Sequence, residues 1–290
     1  MPFPLEAVPN FSEGRDRSTI DAIAAALAAR ARLLDVHFDS DHNRSVFTLA
    51  GSEHELVSAL IEGVAVARAR IDLRRHEGAH PCVGVADVLP LVAVRPEDLE
   101  RARGTALCVS ERIGAELGLP VFLYGELAGG RRLAELRRGR VEGLARRIAS
   151  GELAPDFGPR ELDPRSGAVV VGARRPLIAF NVNLCGSLDA AKEIAALIRE
   201  GDSHGFVGVR ALGLELPGAG QVQVSMNIEG WQASPLAAIV ARIEEEAAKR
   251  EAVVAGTELV GLIPSGAAAE AERAGLRFDR TQVLESRLAE

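Results

Sequence analysis

Alternating strand-like and helix-like segments predict an α/β (α+β) chain in two halves, each a β-sheet covered by helices. Three observations carry this reading. The first half switches repeatedly between apolar runs of strand length and amphipathic helical periodicity. The second half reads strand, helix, strand, strand, helix, strand. Between them lie the proline- and charge-rich loop Ala154–Ser166 and the doubly basic turn Gly172–Pro176, which place the boundary so that the subdomains are 1–176 and 177–290.

In the first half, Leu5–Pro9 reads as a strand and Ser18–Arg30 as a helix with Ile20, Ile23, Ala24 and Leu27 on one face. Arg32–Phe38 and Ser45–Ala50 are strands joined by a polar connection, and Ser52 with Glu55 spells a capping box opening a helix through Ala69. Val83–Val94 is a β-branched run broken by Pro90, Pro96–Leu117 a long helix, and Pro120–Tyr124 a short strand. The arginine- and glycine-dense stretch Gly129–Arg147 predicts one or two surface helices, and Ala168–Val171 a further strand. In the second half, the strand Leu177–Leu184 leads to a helix at Ser187–Arg199, N-capped by Ser187, and to alternating residues at Phe206–Leu216. After the turn Pro217–Gly220 come the strand Gln221–Ile228, a helix capped by Ser234 and Pro235 and running to about Arg250, the strand Glu258–Ile263, and helical segments from Ser265 to the end. This βαββαβ order is the split-βαβ, ferredoxin-like signature, and the first half reads as an elaborated relative of it. Two such sheets with open faces or edges together would create an interdomain ligand groove.

A hydrophobic content of 47% is enough for a substantial core, and a formal net charge of -7 argues against wholesale binding to nucleic acid, which needs a concentrated basic surface. The opening MPFPLEAVPNFSEG has neither a charged n-region nor a sustained apolar run, and no later stretch is apolar enough for a bilayer. A soluble, cytoplasmic protein that binds neither membrane nor nucleic acid is expected. Cys82, Cys108 and Cys185 form no CxxC pair and read as reduced thiols.

Residues 76 to 80 spell HEGAH, matching the H-E-x-x-H zinc-peptidase motif, but Gly78 and the following Pro81 disfavour the continuous helix that motif requires. No metal is expected. No G-x-G-x-x-G or G-x-x-x-x-G-K-[ST] loop occurs, so no nucleotide is expected either. Read as a loop, the same stretch gathers Arg74, Arg75, His76 and His80 beside Gly84 and Asp87, an anion-binding and acid–base constellation, though a solvated basic loop has the same composition. A second polar cluster, His37, Asp39, Asp41, His42, Asn43 and Arg44, joins two strands and could equally be a plain polar hairpin.

Three stretches carry a family resemblance: VPNFSEGRD at Val8–Asp16, RRHEGAHPCVGVADVLP at Arg74–Pro90, and APDFGP at Ala154–Pro159 followed by GAVVVGARRPLIAFNVNL at Gly167–Leu184. Leu33–Gly51 and ELVGLIP at Glu258–Pro264 extend it over essentially the whole chain. In these segments the chain resembles the glutamate formiminotransferase (glutamate formimidoyltransferase) family, with a single formiminotransferase domain and no cyclodeaminase domain. The resemblance implies formimino transfer from N-formimino-L-glutamate to N5 of tetrahydrofolate as co-substrate, a step of histidine degradation, and a homodimer. It leaves formyl transfer from N-formylglutamate and a non-catalytic folate-binding role as alternatives.

The second histidine of the RHxGxHP stretch is the family's catalytic residue, which falls on His80. The segment after DFGP contacts folate in the family, which falls on Gly158, Pro159, Arg160, Glu161, Leu162, Asp163, Pro164, Arg165, Ser166 and Gly167, with a further glycine mapping to Gly205. One imidazole near neutral pH can take a proton from the attacking amine and return it to the departing one. Arg44, Arg74, Arg75, Arg174 and Arg175 are candidate clamps for substrate carboxylates by bidentate geometry, with His37, Asp39, Asp41, Asn43 and His76 as supporting candidates. Familiar members have an acidic residue where this chain has His37 and an arginine where it has Cys82, so Asp39, Asp41 and His42 stand as the groups that would orient His80.

Overall fold

Apolar periodicity becomes two separate sheets in the computed structural model, which describes residues 3–289. Met1, Pro2 and Glu290, the outermost residues of the two halves drawn above, lie outside the described residues. The chain divides into two compact units between Arg175 and Pro176.

In the first unit, β1 (Leu5–Ala7) and β2 (Asn10–Phe11) are two pieces of one strand, since both pair with β4 (Arg44–Gly51) on one side and with β5 (Ala86–Val92) on the other. The break between them is Val8–Pro9, where Pro9 can supply no N–H to a ladder. Opposite it lies Pro90, whose carbonyl accepts from the Val8 N–H at 3.1 Å. A strand residue directs its N–H and C=O to the same neighbour, so Pro90's missing donor faces the interrupted segment and β5 runs straight through. The sequence expectation of a break at Pro90 is therefore corrected: a proline is tolerated where its partner strand is itself interrupted.

The hairpin β3 (Arg32–Asp39) and β4 completes a ferredoxin-like sheet, covered by α1 (Arg17–Ala28) and α2 (Glu53–Arg70). Ile20, Ile23 and Leu27 form the buried stripe of α1, whose N-cap Asp16 accepts from the Ser18 N–H. The capping box at α2 is complete: Glu55 Oε2 accepts from the Ser52 N–H at 2.7 Å while Ser52 Oγ accepts from the Glu55 N–H. Phe11 and Phe47 meet edge-on beneath these helices with centroids 5.5 Å apart.

Beyond β5 the sheet is enlarged. A crossover through α3 (Leu99–Glu116) leads to β6 (Val121–Leu123), and after α4 (Leu133–Leu136) and α5 (Arg140–Ala149) the chain returns as β7 (Val169–Arg174), parallel to both β5 and β6 and seated between them. Every residue of β5 is buried, as a strand covered on both faces must be. The second cover comes from α4 and α5: Leu136 and Leu144 join Val88, Phe122 and Val170 in a separate apolar cluster. The arginine-rich stretch is thus more than a surface feature, because its few leucines form a buried face.

In the second unit, β8 (Ile178–Cys185), α6 (Leu188–Ile198), β9 (Val209–Leu216), β10 (Gln221–Ile228), α7 (Leu236–Ala248) and β11 (Val253–Val260) form an antiparallel sheet in the order β11, β8, β10, β9, the ferredoxin-like arrangement the sequence predicts. β9 begins at Val209, later than the alternation indicates, because Gly208 has a φ of +72°. β11 starts at Val253, earlier than predicted, since a register shift between Val254 and Gly256 disturbs its alternation. Ser234 does not cap α7; its Oγ donates to the Val207 carbonyl at 2.8 Å and Pro235 occupies the cap position. Short helices α8 (Ser265–Arg273) and α9 (Leu284–Ala289) follow. Among the described residues no helix is long and apolar enough to cross a membrane.

Candidate active site

The connection from α2 to β5, residues 71–85, and the hairpin turn between β3 and β4 meet in the first unit. Ala79 donates its N–H to the Asp41 carbonyl at 2.9 Å, and the Asn43 side chain accepts from the Gly14 N–H at 2.9 Å while donating to the Glu77 carbonyl at 3.2 Å. Asn43 has a φ of +48°, the left-handed conformation that asparagine tolerates better than most residues. Gly78 must be glycine: a Cβ there would lie 2.3 Å from the His42 carbonyl oxygen. The HEGAH segment is consequently a loop, following a short 3₁₀ turn at Leu73–Arg75, and its two histidines do not project from a helix.

His80 is half-buried, with Nδ1 2.9 Å from the Pro81 carbonyl oxygen. A carbonyl only accepts, so Nδ1 carries the proton and Nε2 keeps its lone pair. The group fixing this tautomer is thus the Pro81 carbonyl, whereas Asp39, expected as an orienting carboxylate, accepts from the His42 N–H at 2.6 Å. The His42 ring lies 5.9 Å from that of His80, centroid to centroid. Burial holds the His80 pKa well below the ordinary imidazole range, and the charges of Arg44, Arg137 and His42 add to the effect. His80 is therefore a neutral base at pH 7.

His76 donates from Nε2 to the Asn43 carbonyl at 2.9 Å, and the Cys82 sulfur lies 3.7 Å from its Nδ1. Burial, with the Asp87 charge next in effect, raises the Cys82 pKa, so this cysteine is a thiol rather than a nucleophilic thiolate.

Asp87, fully buried at the start of β5, receives Arg44 Nη1 at 2.7 Å and Arg137 Nη2 on the same oxygen, while its other oxygen accepts from the Val83 N–H at 2.9 Å. Burial alone pushes the Asp87 carboxyl up, but Arg137, Arg44 and the Val83 N–H outweigh it and hold the pKa below the ordinary range. Arg44 also donates from Nε to Asn10 Oδ1 at 3.1 Å, and Arg140 reaches the Gly78 carbonyl at 3.0 Å. Sequence reasoning did not single out Asn10, Arg137 or Arg140. The available signal was the leucine pattern within the arginine-dense stretch, which implies a buried face with Arg137 beside Leu136.

The loop expected to contact folate is stitched to this region at its far end. The Ser166 carbonyl accepts from the Val85 N–H and the Arg165 carbonyl from the Leu73 N–H, each at 2.9 Å; Gly167 bridges Gly84. A Cβ on Gly84 would lie 1.7 Å from the Ala168 carbonyl oxygen, so loop and strand approach as only glycine permits. Asp163 accepts from the Arg165 N–H and from Ser166 Oγ, and the stretch from Gly158 to Arg165, apart from the half-buried Leu162, is exposed.

The other predicted residues have contacts of their own. Arg74 is exposed and paired with Asp72, whose pKa it holds at about 2. Arg75 is exposed on the same 3₁₀ turn, and His37 stands on edge strand β3 opposite Val46. Arg174 pairs in register with Val92 and donates to the Arg175 carbonyl; that point is five steps along β5 from Asp87, about 16 Å at strand rise. Gly205 belongs to the second unit, in a turn closed by its N–H on the Asp202 carbonyl. No group of three His, Cys, Asp or Glu among the described residues is placed to hold a metal ion.

The first unit matches the model of the N-terminal subdomain of the formiminotransferase domain over residues 4–174, and the second matches that of the formiminotransferase domain over residues 179–287. Glutamate formimidoyltransferase from Streptococcus pyogenes serotype M1 is 37% identical, with 98% of each chain covered. The protein of the same name from Thermoplasma acidophilum is 35% identical over 98% of this chain and 97% of its own. Formimidoyltransferase-cyclodeaminase from Sus scrofa is 38% identical over 90% of this chain but only 50% of its own length. With both family models matched along nearly the whole chain, and relatives of this identity aligned end to end, this chain belongs to the formiminotransferase family.

Proposed function

We propose that this protein is a glutamate formimidoyltransferase, moving the formimino group of N-formimino-L-glutamate to N5 of tetrahydrofolate with His80 as general base and then general acid. The observation that carries the reading is the end-to-end similarity to two proteins named for this activity. N5 of tetrahydrofolate attacks the formimino carbon, and the N5–C bond forms as the N5 proton passes to Nε2 of His80. The C–N bond to glutamate then breaks as that proton is returned to the departing nitrogen, giving 5-formiminotetrahydrofolate and glutamate. A neutral imidazole whose Nδ1–H is held by the Pro81 carbonyl suits the first step, since Nε2 starts unprotonated.

Folate is taken as co-substrate along Gly158–Gly167, where the glycine and proline of the largely exposed part, Gly158–Arg165, leave backbone groups accessible and the buried Ser166 and Gly167 join the His80 loop; Gly205 is a further folate contact in this reading. Arg44, Asn43 and His76 support the site, with His37, Asp39, Asp41, Arg74, Arg75 and Arg174 as outer candidates. The same reading places the protein in histidine degradation as a cytoplasmic homodimer that binds neither nucleic acid nor membrane. The test is to supply tetrahydrofolate with N-formiminoglutamate or N-formylglutamate and follow the folate product. Formation of 5-formiminotetrahydrofolate from the first donor, at a rate exceeding formyl transfer from the second, is expected; no product from either would overturn it.

A further inference from the structure

The site holds more buried positive charge than its own carboxylate balances. Among the described residues the ion pairs of Arg44 and Arg137 both end on one oxygen of Asp87, and both guanidiniums are nearly buried, with side-chain exposures of 13% and 11%. Asp87's second oxygen is occupied by the Val83 N–H. Two cations against one anion is an unfavourable arrangement to bury, because each guanidinium loses most of its hydration and only one charge is returned. Within this group Arg137 Nε is buried without a hydrogen-bond partner, a rare and costly state for such an N–H. An excess charge and an unused donor on the same side chain describe a site that is complete only with an anion bound.

We propose, resting on the transferase reading above, that Arg137 together with Arg44 receives a carboxylate of the glutamyl donor and sets the enzyme's requirement for an acidic substrate. Folate also carries carboxylates, but they sit on its glutamyl tail, beyond the aminobenzoyl group from N5. A carboxylate of the donor is only a few bonds from the transferred nitrogen. The charges of Arg44 and Arg137 reach the His80 ring, so the cations belong to the reacting end of the site and match the donor. Arg137 sits immediately after α4, between Leu136 and the α5 cover, which fixes the base of its side chain by packing.

The substitution Arg137→Gln suits a test because it leaves Asp87 paired with Arg44, a balanced pair, so the fold should survive; Arg137→Lys keeps the charge without the planar fork. Each would be assayed beside the parent with N-formimino-L-glutamate, with its α-amide and its γ-amide, and with tetrahydropteroate in place of tetrahydrofolate. Loss of a charge-assisted hydrogen bond is expected to raise KM for the acidic donor by roughly 10- to 100-fold in Arg137→Gln, with kcat changed less. Against one of the two amides the parent should itself be poor and the variant no worse, identifying which carboxylate is read; Arg137→Lys should fall between.

If Arg137→Gln lowers activity by the same factor with all three donors, its role is structural and the proposal is wrong. A variant that loses affinity for tetrahydrofolate but not for tetrahydropteroate would assign Arg137 to the folate tail and also overturn it. Should Arg137→Gln fail to fold, Arg137→Lys with the same three donors decides by the same criterion. A parent enzyme inactive with N-formimino-L-glutamate would instead strike the transferase reading itself.

Discussion

The two units share a topology and differ in what hangs from it. In each, a strand, a helix, a hairpin, a second helix and a final strand build the ferredoxin-like sheet, and the hairpin turns are of equal length: Ser40–Asn43 in the first unit and Pro217–Gly220 in the second. The connection into the final strand is different. It spans residues 71–85 before β5 but only residues 249–252 before β11. His76, His80 and Cys82 all lie in the longer one, and β5 is buried throughout, with β7 paired along its edge and α4 and α5 adding a second cover. The candidate site residues lie where one unit has the longer loop, over a sheet whose enlargement buries the carboxylate beneath it.

The hairpin turns make the same point. Their last residues, Asn43 and Gly220, both have positive φ, +48° and +63°. Glycine meets that demand at no steric cost, whereas Asn43 keeps a side chain there and uses it to tie the turn to Gly14 and Glu77.

The largest effect that would sharpen this contrast is at His80. His80→Ala should lower turnover by roughly two to four orders of magnitude while leaving folate affinity within a few-fold, the range for lost acid–base catalysis. His76→Ala should be milder. Near-normal turnover in His80→Ala would detach the long connection from the chemistry.

Next in size is Asp87→Asn, which would leave Arg44 and Arg137 facing each other without a counter-charge. A loss of about 3–5 kcal/mol in stability is expected, the usual cost of breaking a buried ion pair from one side. Denaturant unfolding followed by a probe in the first unit measures it; a loss under about 1 kcal/mol, the value of exposed pairs, would mean the site is wetter than described. By contrast Glu258→Gln, which touches the half-buried Asn181–Glu258 contact in the second unit, should change stability far less.

The depressed pKa of His80 predicts two pH effects with one sign. As general base it must be neutral, so kcat/KM should hold as pH falls through 6.5 and decline only below it. Because the folded pKa lies under the unfolded value, the unfolded state binds more protons between the two. The associated stability is fully present above the unfolded pKa and is lost as pH falls from there through the folded pKa. His80→Ala should therefore flatten part of the acid-side loss. An acid limb at or above 6.5 in the parent would contradict the half-buried, cation-flanked geometry.

The smallest effect separates the two turns. Asn43→Gly relieves the backbone but removes two hydrogen bonds, for an expected net loss of about 1–2 kcal/mol, while Gly220→Asn should cost a few tenths. Comparable costs at the two positions would erase the distinction drawn above.

Much of this was legible in the sequence, for physical reasons. Amphipathic periods, the Ser52–Glu55 capping box and the βαββαβ order are local signals, and each appears in the structure. The non-helical HEGAH loop was equally legible, since Gly78 and Pro81 act on their immediate backbone. Arg137 was not, because its contact depends on a partner that a distant strand brings to it, here Asp87, 50 residues away in sequence. Arg74 shows the opposite case: a candidate clamp by composition, it is paired locally with Asp72 two residues before it.

The facing of Pro90 and Val8 has a consequence for assembly. Pro90 leaves a gap in the ladder between β5 and the β1–β2 strand, and in the native register that gap meets the break at Val8, whose N–H still reaches the Pro90 carbonyl. Sliding β5 by two residues would keep its apolar alternation but set Pro90 against a carbonyl that needs a donor, forfeiting a ladder hydrogen bond. A strand as uniformly apolar as β5 carries little side-chain information about its own alignment. The missing N–H of Pro90 supplies it, so this strand is aligned by where it cannot bond, and the position of Asp87 under the His80 loop is inherited from that alignment.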